Sequence, residues 1–278
     1  KSILLISLAA CSAPLSGAGT DTYHLVWSEE FNEINSADSP AWTIVEGNGC
    51  PSACGFGNNE RQTYTSEHKN LRTEGGALII EAHKNETYTS AKITSQKLPG
   101  WTYGKISVRA KLPKGVGTWP AIWMLPDDSK HGSWPKSGEI DIMEYLGDAP
   151  TVVMEHVGFN EGHVHGTVHT EAYNHKIGTQ KGGDIFLPSA TNTFHTYTIT
   201  WTDQTIFWLI DGQQYFRFDK QASDTTAEWP FDNPFHLILN LAIGGDWGGI
   251  EGVDEKAFPA RFEIDWVKVC CAYSGHSR

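Results

Sequence analysis

Glu139, Asp141 and Glu144 stand in the run Gly138-Glu-Ile-Asp-Ile-Met-Glu-Tyr145, where carboxylates alternate with apolar side chains. Successive strand side chains point to opposite faces, so Glu139 and Asp141 share one face and Ile140 and Ile142 the other. Strict alternation would place Met143 on the acidic face. Glu144 rejoins that face only if one residue is inserted as a β-bulge, a device common beside active sites. Three acids on one face oppose one another's ionisation, which keeps at least one carboxyl protonated near neutral pH. A carboxylate and a carboxylic acid about 5–5.5 Å apart can together break a glycosidic bond with retention of configuration. The competing reading is a solvated acidic face. It fits poorly, because Asp and Glu are depleted in strands and stacked like charges repel.

Tryptophan gathers in the same stretch, at positions Trp101, Trp119, Trp123 and Trp134. Aromatic rings beside paired acids suit a sugar, whose C–H faces stack on rings. Some of these rings must be ordinary core, since aromatics bury large areas. The formal net charge of −12 argues against nucleic acid and against polyanionic glycans, and raises no objection to a neutral one. With 28 glycines among 278 residues, the composition is that of a globular chain rich in turns.

The first eleven residues, Lys1 to Cys11, join a basic residue, a short apolar run and small residues, a secretory pattern too short to span a membrane. Leu8-Ala9-Ala10-Cys11 resembles the lipobox of bacterial lipoproteins, which implies cleavage before Cys11 and lipidation of its thiol. A plain signal peptide is the alternative. Either way the expectation is an exported protein: secreted, periplasmic or held at a surface by a lipid anchor. Residues 1–18 are read as targeting segment and linker, 19–272 as a single domain and 273–278 as a tail. In an exported protein Cys50 and Cys54 are a candidate loop disulfide. The cysteine spacing does not match common structural zinc sites.

Positioning falls to strands. Lys105–Leu112 and Arg261–Trp266 alternate, and Leu78–His83 and Phe235–Ile243 are apolar runs of strand length. Thr205–Phe218 reads as a hairpin turning at Asp211-Gly212. Tyr173–Ser189, with Gly178, Gly182 and Gly183, reads as a loop. No helical periodicity is sustained, so the expected fold is all-β: two antiparallel sheets in a sandwich, with one face open as a groove.

At these residues the chain resembles glycoside hydrolase family 16, in its laminarinase (endo-β-1,3-glucanase) branch. Glu139–Glu144 is similar to the family's Glu-x-Asp-x-x-Glu signature, with Met143 as the extra residue of the bulged form. Leu25–Phe31, Gly57–Glu60, Tyr88–Lys92, Gly117–Leu125, His165–His169, Leu239–Trp247 and Phe262–Val269 follow in family order, covering about residues 23–269. The resemblance implies a concave jelly-roll sandwich that needs no cofactor for catalysis. It assigns Glu139 as nucleophile, Glu144 as acid/base and Asp141 as the group modulating their charge. It places Asn59, Trp119 and Trp123 in the subsites before the scissile bond, with Glu60 nearby. Trp134 and Trp247 then rim the cleft, and His169 hydrogen-bonds near the acid/base. Lys92 departs from the arginine of many relatives, and an ammonium does not reproduce a planar fork. A structural calcium would take Glu30, the Gly76 carbonyl and Asp265, stapling the terminal strands.

The implied activity is retaining endo-hydrolysis of β-1,3-glucosidic bonds in glucans such as laminarin. Alternatives are a mixed-linkage (β-1,3-1,4) glucanase, a transglycosylase of the same fold, or a non-catalytic β-glucan-binding protein. A monomer is expected, because a long groove needs no partner chain.

Overall fold

A computed structural model describes residues 23–32, 39–147, 152–154, 157–159 and 162–272. The targeting segment with Cys11 and the tail after 272 lie outside the described residues. The strands run in chain order as β1 (Tyr23–Glu29), β2 (Thr43–Val45), β3 (Gln62–Tyr64), β4 (Leu71–Glu74), β5 (Ala77–Lys84), β6 (Tyr88–Ser90) and β7 (Lys92–Thr94). Then follow β8 (Gly104–Lys111), β9 (Thr118–Pro126), β10 (Glu139–Tyr145), β11 (Val152–Met154), β12 (Val157–Phe159) and β13 (His163–His169). The last are β14 (Lys181–Phe186), β15 (His195–Trp201), β16 (Thr205–Ile210), β17 (Gln213–Asp219), β18 (Phe235–Ile243) and β19 (Ala260–Ala272). The one described α-helix, α1, is a single turn at Gly245–Gly248.

Two large sheets form. One orders β17-β16-β15-β8-β19-β5-β6-β3, with β1 beside β19 and β4 beside β5; the other orders β14-β13-β10-β9-β18-β7-β2. Pairing is antiparallel except between β3 and β6, which run parallel. The second sheet carries the cleft. Its inner face meets the first sheet through fully buried side chains, among them Ile140, Ile142 and Met143 of β10 and Ile199, Trp201 and Trp208 opposite. Each large aliphatic side chain so buried contributes roughly 1.5–3 kcal/mol. Strand β18 is buried along its whole length, which explains why its sequence is a continuous apolar run. One of its faces is core, and the other is covered by the β3 segment: Gln62 Oε1 accepts from the Ile243 N–H at 2.8 Å, and Asn240 Nδ2 donates to Tyr64 Oη at 3.1 Å.

The Asp211-Gly212 hairpin forms with both residues at positive φ, 49° and 83°, the geometry that a two-residue turn matched to strand twist requires. The expected loop at 173–189 is corrected. Within it Lys181–Phe186 is the edge strand β14, paired with β13 in the register Thr167↔Gly182 and Gly166↔Gly183. Its glycines masked the strand in sequence. They are required by close approach: a Cβ on Gly182 would stand 2.8 Å from the Gly166 carbonyl oxygen, and one on Gly183 2.9 Å from Phe216. The Cys50–Cys54 disulfide forms.

Candidate active site

Strand β10 lies between β9 and β13. On the β13 side Glu139 pairs with His169, Asp141 with Thr167 and Glu144 with His165, and the register slips between Asp141 and Glu144. On the β9 side it slips between Asp141 and Met143. The bulge anticipated from the sequence therefore exists. It turns Ile142 and Met143 into the core, at 1% and 0% exposure, and returns Glu144 to the acidic face. Trp208 of β16, in the opposite sheet, donates its indole N–H to the Asp141 carbonyl at 2.7 Å. A backbone oxygen at the irregularity is thus satisfied from across the core.

Each outer acid has its own indole donor. Trp134 Nε1 donates to Glu139 Oε2 at 2.9 Å, and Trp119 Nε1 donates to Glu144 Oε1 at 3.0 Å. Asp141 is 3% exposed, and its Oδ2 accepts no hydrogen bond. His169 sits beside Glu139 and Asp141, its Nε2 3.8 Å from Glu139 Oε1 and 3.4 Å from Asp141 Oδ2. It thus stands at the Glu139 end of the strand, because Glu139 is its register partner; the expectation placed it near Glu144. Burial pushes all three carboxyls up to about 8. For Glu139 the neighbouring Asp141 charge adds to burial, opposed by His169 and the Trp134 donor. For Glu144 Asp141 likewise adds, opposed by His169 and the Trp119 donor. The three titrate as a set.

Two cavities open on this wall. The first, of about 260 Å³, is lined by Asn58, Glu60, Lys92, Trp119, Trp123, Trp134 and the three acids. The second, of about 600 Å³, is lined by Asn58, Trp119, Glu139, Glu144, His165, His169, His175, Asp184 and Trp247. Asn58, Trp119, Glu139, Glu144 and His175 line both, so the two cavities meet at the acids. Trp123 anchors its ring by donating to Asn240 Oδ1 at 2.7 Å. The Lys92 ammonium lies 4.8 Å from the centre of that ring and 5.0 Å from that of Phe56. Lys92 stays in the site as a cation–π partner, and burial lowers its pKa. Burial raises the Glu60 carboxyl, which accepts from Gln62 at 2.6 Å.

Asn59 is placed differently from expectation. It is exposed at positive φ (56°) and donates to Asp246 Oδ1 at 2.7 Å, tethering its loop to α1, while its neighbour Asn58 faces the cavities. Trp101 proves to be core at 3% exposure, packed on Trp27. Sequence reasoning missed His165 and His175. Burial holds both near a pKa of about 4. His165 was recoverable: it directly precedes the Gly-Thr-Val-His run, and it is the register partner of Glu144. His175 comes from a short 3-10 turn that no pattern marks.

Two of the expected calcium ligands each have a cationic neighbour. Asp265 sits at a register shift in β19 and is ion-paired with Arg109, and Glu30 lies 3.6 Å from Lys268 Nζ.

A family profile described as glycosyl hydrolases family 16 matches residues 57–268. A β-glucanase from Rhodothermus marinus is 47% identical over 96% of this chain and 92% of its own length. The crystal structure of the laminarinase from Rhodothermus marinus superposes with a TM-score of 0.81 at 46% identity, covering 92% of this chain and 100% of that one. A non-specific endo-β-1,3(4)-glucanase of the same family, co-crystallised as a mutant with 1,3-β-D-cellotriosyl-glucose, gives a TM-score of 0.80 at 39% identity over 93% and 97% of the two chains. With the bulged acid strand in place, the chain belongs to glycosyl hydrolase family 16.

Proposed function

We propose that this chain is a retaining endo-hydrolase of β-1,3-glucosidic bonds in neutral β-glucans such as laminarin. One observation carries the reading: the β10 bulge brings Glu139 and Glu144 onto one wall where two cavities meet, each acid held by a separate indole N–H. Glu139 attacks the anomeric carbon, the bond to the leaving oxygen breaks, and the proton of Glu144 goes to that oxygen. The ester neutralises Glu139, so Glu144 loses a negative neighbour and its pKa falls. It then takes a proton from water as the water oxygen displaces Glu139. Asp141, buried between the two, raises both outer carboxyls through its charge and so helps keep the proton that Glu144 donates.

Two features support the glucan. The first cavity has ring walls in Trp119, Trp123 and Trp134, and the net charge of −12 disfavours polyanions. A mixed-linkage substrate is the second reading, favoured by the neighbour whose activity spans β-1,3 and β-1,4 bonds. Reducing-sugar release from laminarin, barley mixed-linkage glucan and agarose, assayed side by side, separates the readings. Fastest release from laminarin is expected, and release from none of them overturns the enzyme in favour of a glucan-binding protein.

Export with a lipid on Cys11 belongs to the same proposal, resting on the lipobox resemblance, and the mass of the mature N-terminus tests it. Among the described residues no helix is long and apolar enough to cross a membrane. A calcium on Glu30, Gly76 and Asp265 would have to displace Arg109 and Lys268, and an unchanged melting point with chelator would remove it.

A further inference from the structure

Glu139, Asp141 and His169 each offer one ligand atom, and the three atoms lie within 4.8 Å of one another. Two ligands of a tetrahedral zinc, each about 2.1 Å from the ion, stand about 3.4 Å apart. His169 Nε2 and Asp141 Oδ2 are separated by 3.4 Å, and Glu139 Oε1 lies 3.8 Å from the same nitrogen. Asp141 Oδ2 is a buried oxygen that accepts no hydrogen bond from the protein. Asp141 is 3% exposed and His169 7%. One buried polar atom therefore points into the cluster without a partner, and the donor set mixes imidazole nitrogen with carboxylate oxygen. That mixture selects zinc or copper over the hard cations calcium and magnesium, which prefer oxygen alone. His169 is held in place by its register with Glu139 and by ring contacts to Trp134 and His175 at 6.1 and 5.1 Å.

We propose that the cleft contains an inhibitory site for a divalent transition metal of the zinc or copper class, formed by Glu139, Asp141 and His169. The ion coordinates the nucleophile's oxygen, so glucan and metal exclude each other. No bond is made or broken beyond coordination, and the ligands release whatever protons they carry. The site shares its acids with the hydrolysis proposed above, but binding of the ion is read without any turnover.

The test uses the full chain and zinc chloride in a non-coordinating buffer, with binding followed by equilibrium dialysis and by calorimetry. One zinc per chain is expected, removed by chelator and displaced by laminarin oligosaccharides. Glu139→Gln, which is expected to be inactive, and His169→Asn should each weaken binding at least tenfold with melting points near the wild type. His163→Asn, altering a histidine outside the cluster, should leave binding unchanged. In steady-state hydrolysis of laminarin, zinc should raise KM and leave kcat unchanged. Zinc binding that survives both Glu139→Gln and His169→Asn, or that glucan does not displace, overturns the site. Absence of binding at millimolar zinc overturns it as well. A chain that binds zinc in this way yet cleaves no glucan would refute the hydrolase reading while leaving the metal site standing.

Discussion

Trp134 and Trp119 hold the two outer acids through single indole N–H groups, so each acid can be perturbed alone. Replacing Trp134 by Phe keeps the ring and removes the donor to Glu139 Oε2. That donor favours the ionised form, so its loss raises the Glu139 pKa. A hydrogen bond to a charged group is worth about 1.5–3 kcal/mol, or about 1–2 pH units. The acid limb of the kcat/KM profile should therefore move to higher pH by that amount. Trp119→Phe removes the donor to Glu144 Oε1 and should instead move the alkaline limb upward, because Glu144 keeps its proton longer. Identical profiles for the two variants would mean the rings act only as walls. Glu144→Ala should lower kcat by about 10²–10⁴ with natural glucan. An aryl glucoside with a good leaving group should recover part of the first step, since it needs no protonation. Activity near wild type on glucan would remove Glu144 from its role.

The bulge in β10 decides where these residues point, and it is supported from the opposite sheet. Trp208→Phe deletes the N–H that satisfies the Asp141 carbonyl. A buried unsatisfied carbonyl costs about 1–3 kcal/mol, so the melting point should drop. Turnover should fall as well, since Asp141 and Glu144 flank the loosened segment. A drop in stability with kcat unchanged would show that the bulge holds its shape without Trp208. At this scale most of the design was legible in the sequence. Alternation placed Glu139 and Asp141 together, and the misplaced Met143 announced the bulge. The hairpin at Asp211-Gly212 was legible for the same reason, because its chemistry is local. What escaped were features set by distant chain segments. Strand β14 hides behind Gly182 and Gly183, whose absent side chains are explained only by Gly166 and Phe216 packed against them. Asn58 and Asn59 could not be ranked without seeing that Asn59 spends its amide on Asp246.

Across the whole molecule, the acid cluster sets how stability depends on pH. Burial pushes Glu139, Asp141 and Glu144 up to about 8 in the folded chain, from ordinary values of 4.5, 3.8 and 4.5. Between about pH 4 and 8 the folded chain binds more protons than the unfolded one. Stability therefore falls as pH rises through that window. Asp141→Asn mimics the neutral carboxyl without the cost of ionisation. It should raise the melting point relative to wild type at pH 8 and change it little at pH 4, with about 2 °C gained per kcal/mol recovered in a chain of this size. Equal shifts at both pH values would show that Asp141 does not titrate as burial dictates. The fold thus keeps a destabilising cluster in its cleft, offset by the aromatic and aliphatic core between its sheets. The most direct test of the account is mass spectrometry of the chain after incubation with a 2-deoxy-2-fluoro laminarioligosaccharyl fluoride. The account predicts a single covalent glycosyl ester on the peptide containing Glu139; an adduct on any other residue, or turnover with no adduct formed, would contradict it.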